Sequence, residues 1–355
     1  MTPLERHIRT RLTLDGPMTI ADYMALCLGH PDHGYYMAHD PFGAAGDFTT
    51  APEISQMFGE LLGLALAQAW LDQGGGPAAL VELGPGRGTL MADALRATAA
   101  VPGFHEALSV HLVEMSPHLR TVQRKTLAGW DIVFHDDVTT LPELPLLVVA
   151  NEFFDALPIR QFLRQHDGWS ERLLMLKDNA LSFAFTEPRP VPDLDWRLAD
   201  MEVGQIVEMS ATGPAIMGAI AEKIAAFGGA ALMFDYGDAP SRGDTLQALY
   251  KQQPNDPLAH PGKADLTAHV DFGPLAEVAE EAGLRVQGPV AQGVFLERLG
   301  ITDRAQMLAR NLDDAALKSH IAAHRRLTHP GEMGHLFKGL GLTPPGAPPL
   351  PGFDP

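Results

Sequence analysis

The chain has 355 residues, 46% of them hydrophobic, enough for a sizeable core in one large domain with insertions or in two domains. Its net charge of −18 repels nucleic acid and anionic membrane, which leaves small molecules and proteins as partners. The single cysteine, Cys27, excludes an internal disulfide, argues against a thiolate metal site and fits a reducing interior, and no apolar run reaches the ~18 residues of a membrane span.

Leu4, Ile8 and Leu12 space a first helix, whose basic face carries Arg6, Arg9 and Arg11. Glu5 and Asp15 interrupt that basic run, and no cleavage pattern follows, so a targeting peptide is not expected. Met18–Leu28 predicts a second helix with Thr19 as N-cap. His30-Pro31-Asp32-His33-Gly34-Tyr35-Tyr36 reads as a turn entering an extended piece; its histidines, with His39, read as surface residues rather than metal ligands. A glycine-rich loop, 42–51, leads into a helix over Glu53–Leu71 with Pro52 in its first turn. Spacing alone gives Asp47, Thr49, Thr50 and Glu53 capping and turn roles, with a lid over ligand as the alternative.

Ala78–Val81 is a buried strand, and Leu90, Ala94 and Leu95 space a helix after it. Between them lies Glu82-Leu83-Gly84-Pro85-Gly86-Arg87-Gly88. Gly84, Gly86 and Gly88 permit the tight turn, and the helix start offers unpaired N–H groups. A nicotinamide-binding turn reads G-x-G-x-x-G and cradles a pyrophosphate. Here the third glycine comes one residue early and the acidic Glu82 precedes the first. An acid beside a pyrophosphate is repelled; it suits an amino group, such as the methionine end of S-adenosylmethionine. The next strand, Leu108–Val113, ends at Glu114, where a carboxylate accepts hydrogen bonds from both ribose hydroxyls.

Ser116-Pro117 opens helix 116–127, and Asp131–Phe134 is a third strand. Asp137 beyond it either faces an adenine amino group or sits in a solvated loop. The apolar Leu146–Ala150 is a fourth strand, and this alternation predicts a parallel sheet with its ligand at the strand C-terminal ends. There sits Asn151-Glu152-Phe153-Phe154-Asp155-Ala156-Leu157-Pro158. Were the methyl acceptor an arginine guanidinium, Glu152 and Asp155 would orient it and the two phenylalanines would wall it; otherwise the rings are core and Glu152 caps a helix.

Antiparallel strands at Ile159–Gln165, Ser170–Leu176 and Leu181–Phe185, turning at Asp167-Gly168, form an insertion. Helix 212–227 and strand 230–235 resume the sheet. An irregular piece, 238–270, follows, then helix 273–282, strand 284–289, helices through 291–327, a last strand at Gly334–Lys338 and a proline-rich tail. The expected division is a helical lid region at 1–76, a nucleotide-binding first half at 77–158, the insertion at 159–205, a second half at 206–340 and the tail at 341–355.

Several blocks make the chain resemble the MidA-like family of S-adenosylmethionine-dependent methyltransferases, which includes a mitochondrial complex I assembly factor. They are Gly46–Ser55, Glu82–Leu90, Asn151–Pro158, Asp235-Tyr236-Gly237, Asp265–Phe272, and Met333-Gly334 before Phe337-Lys338. The resemblance implies a Rossmann-like class I α/β fold: a mostly parallel seven-stranded sheet with helices on both faces, an N-terminal helical part and an inserted antiparallel subdomain. It implies protein arginine N-methyltransferase activity on a protein partner, a respiratory complex I subunit in the mitochondrial relative. In that picture Glu82, Gly84, Gly86, Gly88, Glu114, Asp137 and Asn151 attend the cofactor, and Asp47, Thr49 and Thr50 shift from capping towards a covering lid. A chain of this composition is expected in a bacterial cytoplasm, with oligomeric state, homodimer included, left open. The alternatives are a non-catalytic assembly chaperone that retains the fold and a small-molecule O- or N-methyltransferase.

Overall fold

The computed structural model describes residues 1–38 and 49–353. Asp47, His39 and the first part of the glycine-rich loop lie outside the described residues. Among the described residues, the central sheet has eight strands, of which seven form its continuous path: β1 (Ala78–Leu83), β2 (Leu108–Val113), β3 (Ile132–His135), β4 (Leu146–Asn151), β5 (Gly229–Asp238), β6 (Arg285–Ala291) and β7 (Phe337–Thr343), while the short Val270–Asp271 pairs with the end of β5. Their spatial order is β6-β7-β5-β4-β1-β2-β3. Strands β3, β2, β1, β4 and β5 pair parallel, whereas β7 runs antiparallel to both β5 and β6. This is the expected α/β architecture. Strands buried on both faces read as continuous apolar runs, and β1 and β4 are buried at every position.

The pleat sorts their side chains onto two cores. Leu80, Leu147, Val149 and Leu232 face helices Gln56–Asp72 and Thr89–Thr98. Val81, Val148, Ala150 and Met233 face helices Thr212–Phe227 and Phe272–Glu281. Helix Gln56–Asp72 crosses Thr89–Thr98 closely because Gly63 has no side chain: a Cβ there would lie 2.6 Å from the Ala94 Cα. That crossing seats the N-terminus of Thr89–Thr98 directly behind the glycine turn.

A smaller sheet joins Met18–Thr19, Arg160–Gln165, Gly168–Lys177, Ala180–Phe185 and Ile206–Met209. It draws in 206–209, which the sequence reading placed with the second half of the core. The hairpin turn is His166-Asp167, one residue earlier than expected, since Gln165 pairs with Gly168. Gly168 belongs to the strand instead: a Cβ there would meet the Arg189 carbonyl at 2.5 Å, where Trp169 bridges to Arg189.

Other expectations are corrected too. Tyr35–Ala38 is a short helix rather than extended chain. The helix predicted over Glu53–Leu71 breaks at Ser55, whose extended backbone separates Ala51–Ile54 from Gln56–Asp72 and whose hydroxyl caps Met57. The stretch 238–270 carries a three-stranded sheet of Gln247–Tyr250, Gln253–Asn255 and Asp265–Thr267. The last strand is Phe337–Thr343, not Gly334–Lys338, with Met333–Leu336 helical. Its glycines look like a strand end in sequence, but Gly339 and Gly341 leave room for the rings of Phe234 and Phe353. Leu350 and Phe353 of the tail are therefore core residues.

Between β2 and β3, His111 and His135 are buried with their ring nitrogens 2.8 Å apart. The chain ends on the Ser109 and Thr140 hydroxyls. Burial holds both rings neutral, pushing His111 down to about 4 and His135 below its usual value. A histidine with a depressed folded pKa contributes stability that is complete above about 6.5 and is lost as pH falls towards about 4. Wild type should thus lose about 1 kcal/mol more than His111→Gln between pH 7.5 and 5, discounted for partial solvent contact and read by urea unfolding.

Candidate functional site

A cavity of about 750 Å³ opens at the C-terminal ends of β1, β2, β4 and β5. Its first wall is the glycine turn. Gly84 and Gly86 adopt φ of 60° and 52°, a left-handed backbone that side chains resist, and both line the cavity. Gly88 also has positive φ, at 81°, yet is not among the lining residues; it packs towards Gln123 and Leu127 and starts helix Thr89–Thr98. Glu82, at the tip of β1, is almost completely buried and lines the cavity. The Met91 N–H donates to its carboxylate, and burial raises its pKa well above the usual value. Its Oε2 finds no hydrogen-bond partner among the described residues.

The second wall follows β2. The Glu114 carboxylate accepts the Ser116 N–H at 2.7 Å and the Gln123 amide at 3.1 Å. The same Gln123 nitrogen donates to the Gly86 carbonyl at 2.8 Å, which ties the acid to the glycine turn. Met115, largely exposed, offers an apolar surface beside them, unmarked by any sequence pattern. Asp137 lines the cavity, but its carboxylate takes the N–H of Thr139 at 2.8 Å and the Thr139 hydroxyl, capping a short 3-10 turn. Those bonds hold its pKa below the usual carboxylate range.

The floor is the loop after β4. Glu152 is held at φ 51°, a conformation rare for a residue with a side chain, by its N–H bond to the Phe234 carbonyl at 2.9 Å. Its Oε1 accepts the Ala51 N–H at 3.1 Å and the Asn151 amide at 3.0 Å, while the Asn151 Oδ1 has no partner among the described residues. The break at Ser55 is what frees Ala51–Ile54 to dock on Glu152. Asp155 lies beside it, buried, bonded to the Tyr236 hydroxyl. Burial, with Asp155 nearby, raises Glu152 to about 7; burial raises Asp155 to about 6. Beneath the loop, Asp235 accepts the N–H groups of Phe153, Phe154 and Asp155 at 2.9–3.2 Å and anchors all three.

Of the two aromatic residues, Phe153 lines the cavity and lies over Gly84, whereas Phe154 packs into the core. Thr50 is buried on the cavity wall; Thr49 is exposed and not part of the lining. The structure also brings in residues to which the sequence reading gave no role: Tyr36, Tyr236, Asp265, Thr267 and His269. A usable signal was present, because 265–270 alternates polar and apolar residues, the pattern of a half-buried strand.

A family profile described as a putative S-adenosyl-L-methionine-dependent methyltransferase matches residues 61–290. The chain is 36% identical to protein arginine methyltransferase NDUFAF7, mitochondrial, of Mus musculus, over 97% of its own length and 85% of the relative's. It is 37% identical to the Danio rerio counterpart, over 94% and 85%. Among solved structures, a protein from Burkholderia thailandensis described as a likely methyl transferase and bound to S-adenosyl-homocysteine superposes with a TM-score of 0.83 at 31% identity, covering 99% of this chain and 92% of that one. With its strand order, its glycine turn and its acid-lined cavity, the chain belongs to the MidA-like family of S-adenosylmethionine-dependent methyltransferases.

Proposed function

We propose that this enzyme methylates a guanidinium nitrogen of arginine in a protein partner, with Glu152 and Asp155 gripping the acceptor. One observation carries the reading. Two carboxylates, the buried Asp155 and the half-buried Glu152, share the cavity floor, and withdrawal from water makes both reluctant to ionise. Such a pair is relieved by a cation, and a guanidinium matches two carboxylates through its planar fork of donors. The relatives' name, protein arginine methyltransferase, agrees.

The residues present fit the cofactor. The lone Glu82 Oε2 suits an ammonium, the Glu114 oxygens retain acceptor capacity for two hydroxyls, and the left-handed backbone of Gly84 and Gly86 lines the cavity, the Gly84 Cβ position being filled by the Phe153 ring. S-adenosylmethionine supplies an electrophilic methyl group when bound. On this reading Asn151 and Thr50 attend the same pocket. Gly88 acts through helix packing, and Asp137 contributes by shaping its loop. We place the work in a bacterial cytoplasm and, from the family resemblance, on a respiratory complex I-type subunit.

The test is tritiated methyl transfer into a lysate of cells lacking the protein. Label should enter a discrete protein band and appear as methylarginine after hydrolysis; label confined to small molecules or to other residues would refute the arginine reading.

A further inference from the structure

The segment 265–271 contributes polar residues to the cavity wall that have no role so far. In extended chain, alternate side chains share a face. Asp265, Thr267 and His269 line the cavity, while Leu266 and Ala268 enter the N-terminal core and Val270 the core of the main sheet. This wall is locked to the acceptor carboxylates. The Ala268 N–H donates to the Asp155 carbonyl at 3.0 Å, and Val270 and Asp271 pair parallel with Gly237 and Asp238 at the end of β5. The Tyr236 hydroxyl bonds both Asp155 and Thr267. Its ring meets the His269 ring edge-on, centroids 5.4 Å apart at 84°. The His269 backbone N–H donates to the Thr245 hydroxyl at 2.8 Å. The backbone is thereby fixed and the imidazole packs on Tyr236 at the cavity wall, one aromatic ring from Asp155.

Methylation of a guanidinium leaves a proton to dispose of. A C–N bond forms from the nitrogen lone pair, the C–S bond breaks with its electrons kept on sulfur, and one N–H proton must depart. Glu152 and Asp155 serve best by staying anionic, since protonation would release the acceptor they hold. We propose that His269 accepts this proton and hands it to solvent, a reading that rests on the guanidinium acceptor proposed above. The groups facing His269 are Tyr236, Asp155 beyond it, and Lys338 on β7. Burial and the Lys338 cation keep the imidazole neutral, with a lone pair to offer. Its half-buried position leaves a path outward.

The experiment follows the initial rate of tritium transfer into the labelled acceptor band for wild type, His269→Asn and His269→Ala from pH 5 to 8. Both variants should slow the saturated rate about 100-fold, within the range for a positioned general base. The KM for S-adenosylmethionine and the calorimetric affinity for S-adenosyl-homocysteine should stay within about threefold of wild type, which also verifies folding. At saturating acceptor, where protonation of Glu152 no longer limits binding, the acid limb should vanish in both variants, and added imidazole should restore His269→Ala at least about tenfold. NMR of labelled histidine should place the His269 titration below 6.5. Rates within threefold of wild type in a variant that still binds S-adenosyl-homocysteine, a retained acid limb, or a His269 titration above 7 would each overturn the proposal. Methyl groups found on a residue other than arginine would instead refute the acceptor assignment, while the His269 comparison would still read out proton removal from whatever nitrogen is modified.

Discussion

Glu152→Gln should lower methyl transfer by about 100- to 1,000-fold, the scale of losing one preorganised electrostatic contact to the reacting group. The substitution is nearly isosteric. Its remaining carbonyl oxygen can still accept the Ala51 N–H and the Asn151 amide, so the short helix Ala51–Ile54 keeps its dock. What changes is the second position, where an oxygen that receives guanidinium donors becomes an NH2 that opposes them. Affinity for S-adenosyl-homocysteine, measured by calorimetry, should stay within about threefold, because the glycine turn and Glu114 are untouched. Full turnover in this variant would remove Glu152 from the mechanism.

The same carboxylate predicts a pH dependence of acceptor binding. Burial and Asp155 raise Glu152 to about 7 in the free enzyme, so at neutral pH a large fraction is protonated and cannot grip a cation. Acceptor KM should rise as pH falls through 7, and the Gln variant should lose that dependence. A carboxylate whose folded pKa is raised destabilises the protein above that pKa. Glu152→Gln should therefore raise the stability of the ligand-free enzyme at pH 8, by up to ~2 kcal/mol after discounting for the part of the side chain that faces the cavity. Slower and more stable together is the signature of a site strained for function; an unchanged or lowered unfolding midpoint would argue against it.

Gly86→Val should abolish detectable cofactor binding, with a loss of at least about 100-fold, or some 2.7 kcal/mol. Gly86 sits at φ 52°, which a β-branched residue adopts only under strain. It also lines the cavity where backbone approaches ligand, and its carbonyl receives the Gln123 amide that positions Glu114. A bulky side chain thus fills the cradle and disturbs the second wall at once. The fold should survive at a cost of about 1–3 kcal/mol, because the change lies in a turn above the sheet. Calorimetry with S-adenosyl-homocysteine, beside a thermal melt, tests both halves: unchanged affinity would remove the turn from the binding site. The melt of wild type should rise on adding this ligand, and that of the variant should not.

The residues that were legible in the sequence are those whose role is local. Apolar runs at 78–81 and 146–150, the glycine turn and the acids at the strand tips each declare themselves within a few residues, because strand burial, left-handed backbone and a carboxylate at a strand end are short-range facts. Thr19 and Ser116 were readable as helix caps for the same reason, and both accept the backbone N–H of a residue three positions on. Less legible were Gly339 and Gly341, which look like a strand end until the rings they accommodate, Phe234 and Phe353, come from distant parts of the chain.

By itself the sequence determined a parallel α/β core, a glycine turn too short and too acidic for a pyrophosphate, and acids at the strand tips beside it. The sequence singled out Glu152 and Asp155 for the proposed acceptor site, and tertiary structure alone decided what surrounds them. Ala51, Glu152, Asp155, Tyr236 and His269 span more than 200 residues of chain, and only β5 pairing with β4, the docking of Ala51–Ile54 and the packing of His269 on Tyr236 bring them to one cavity. Their altered proton affinities are likewise products of assembly, because desolvation and the mutual repulsion of carboxylates exist only once the sheet and its loops have closed around them.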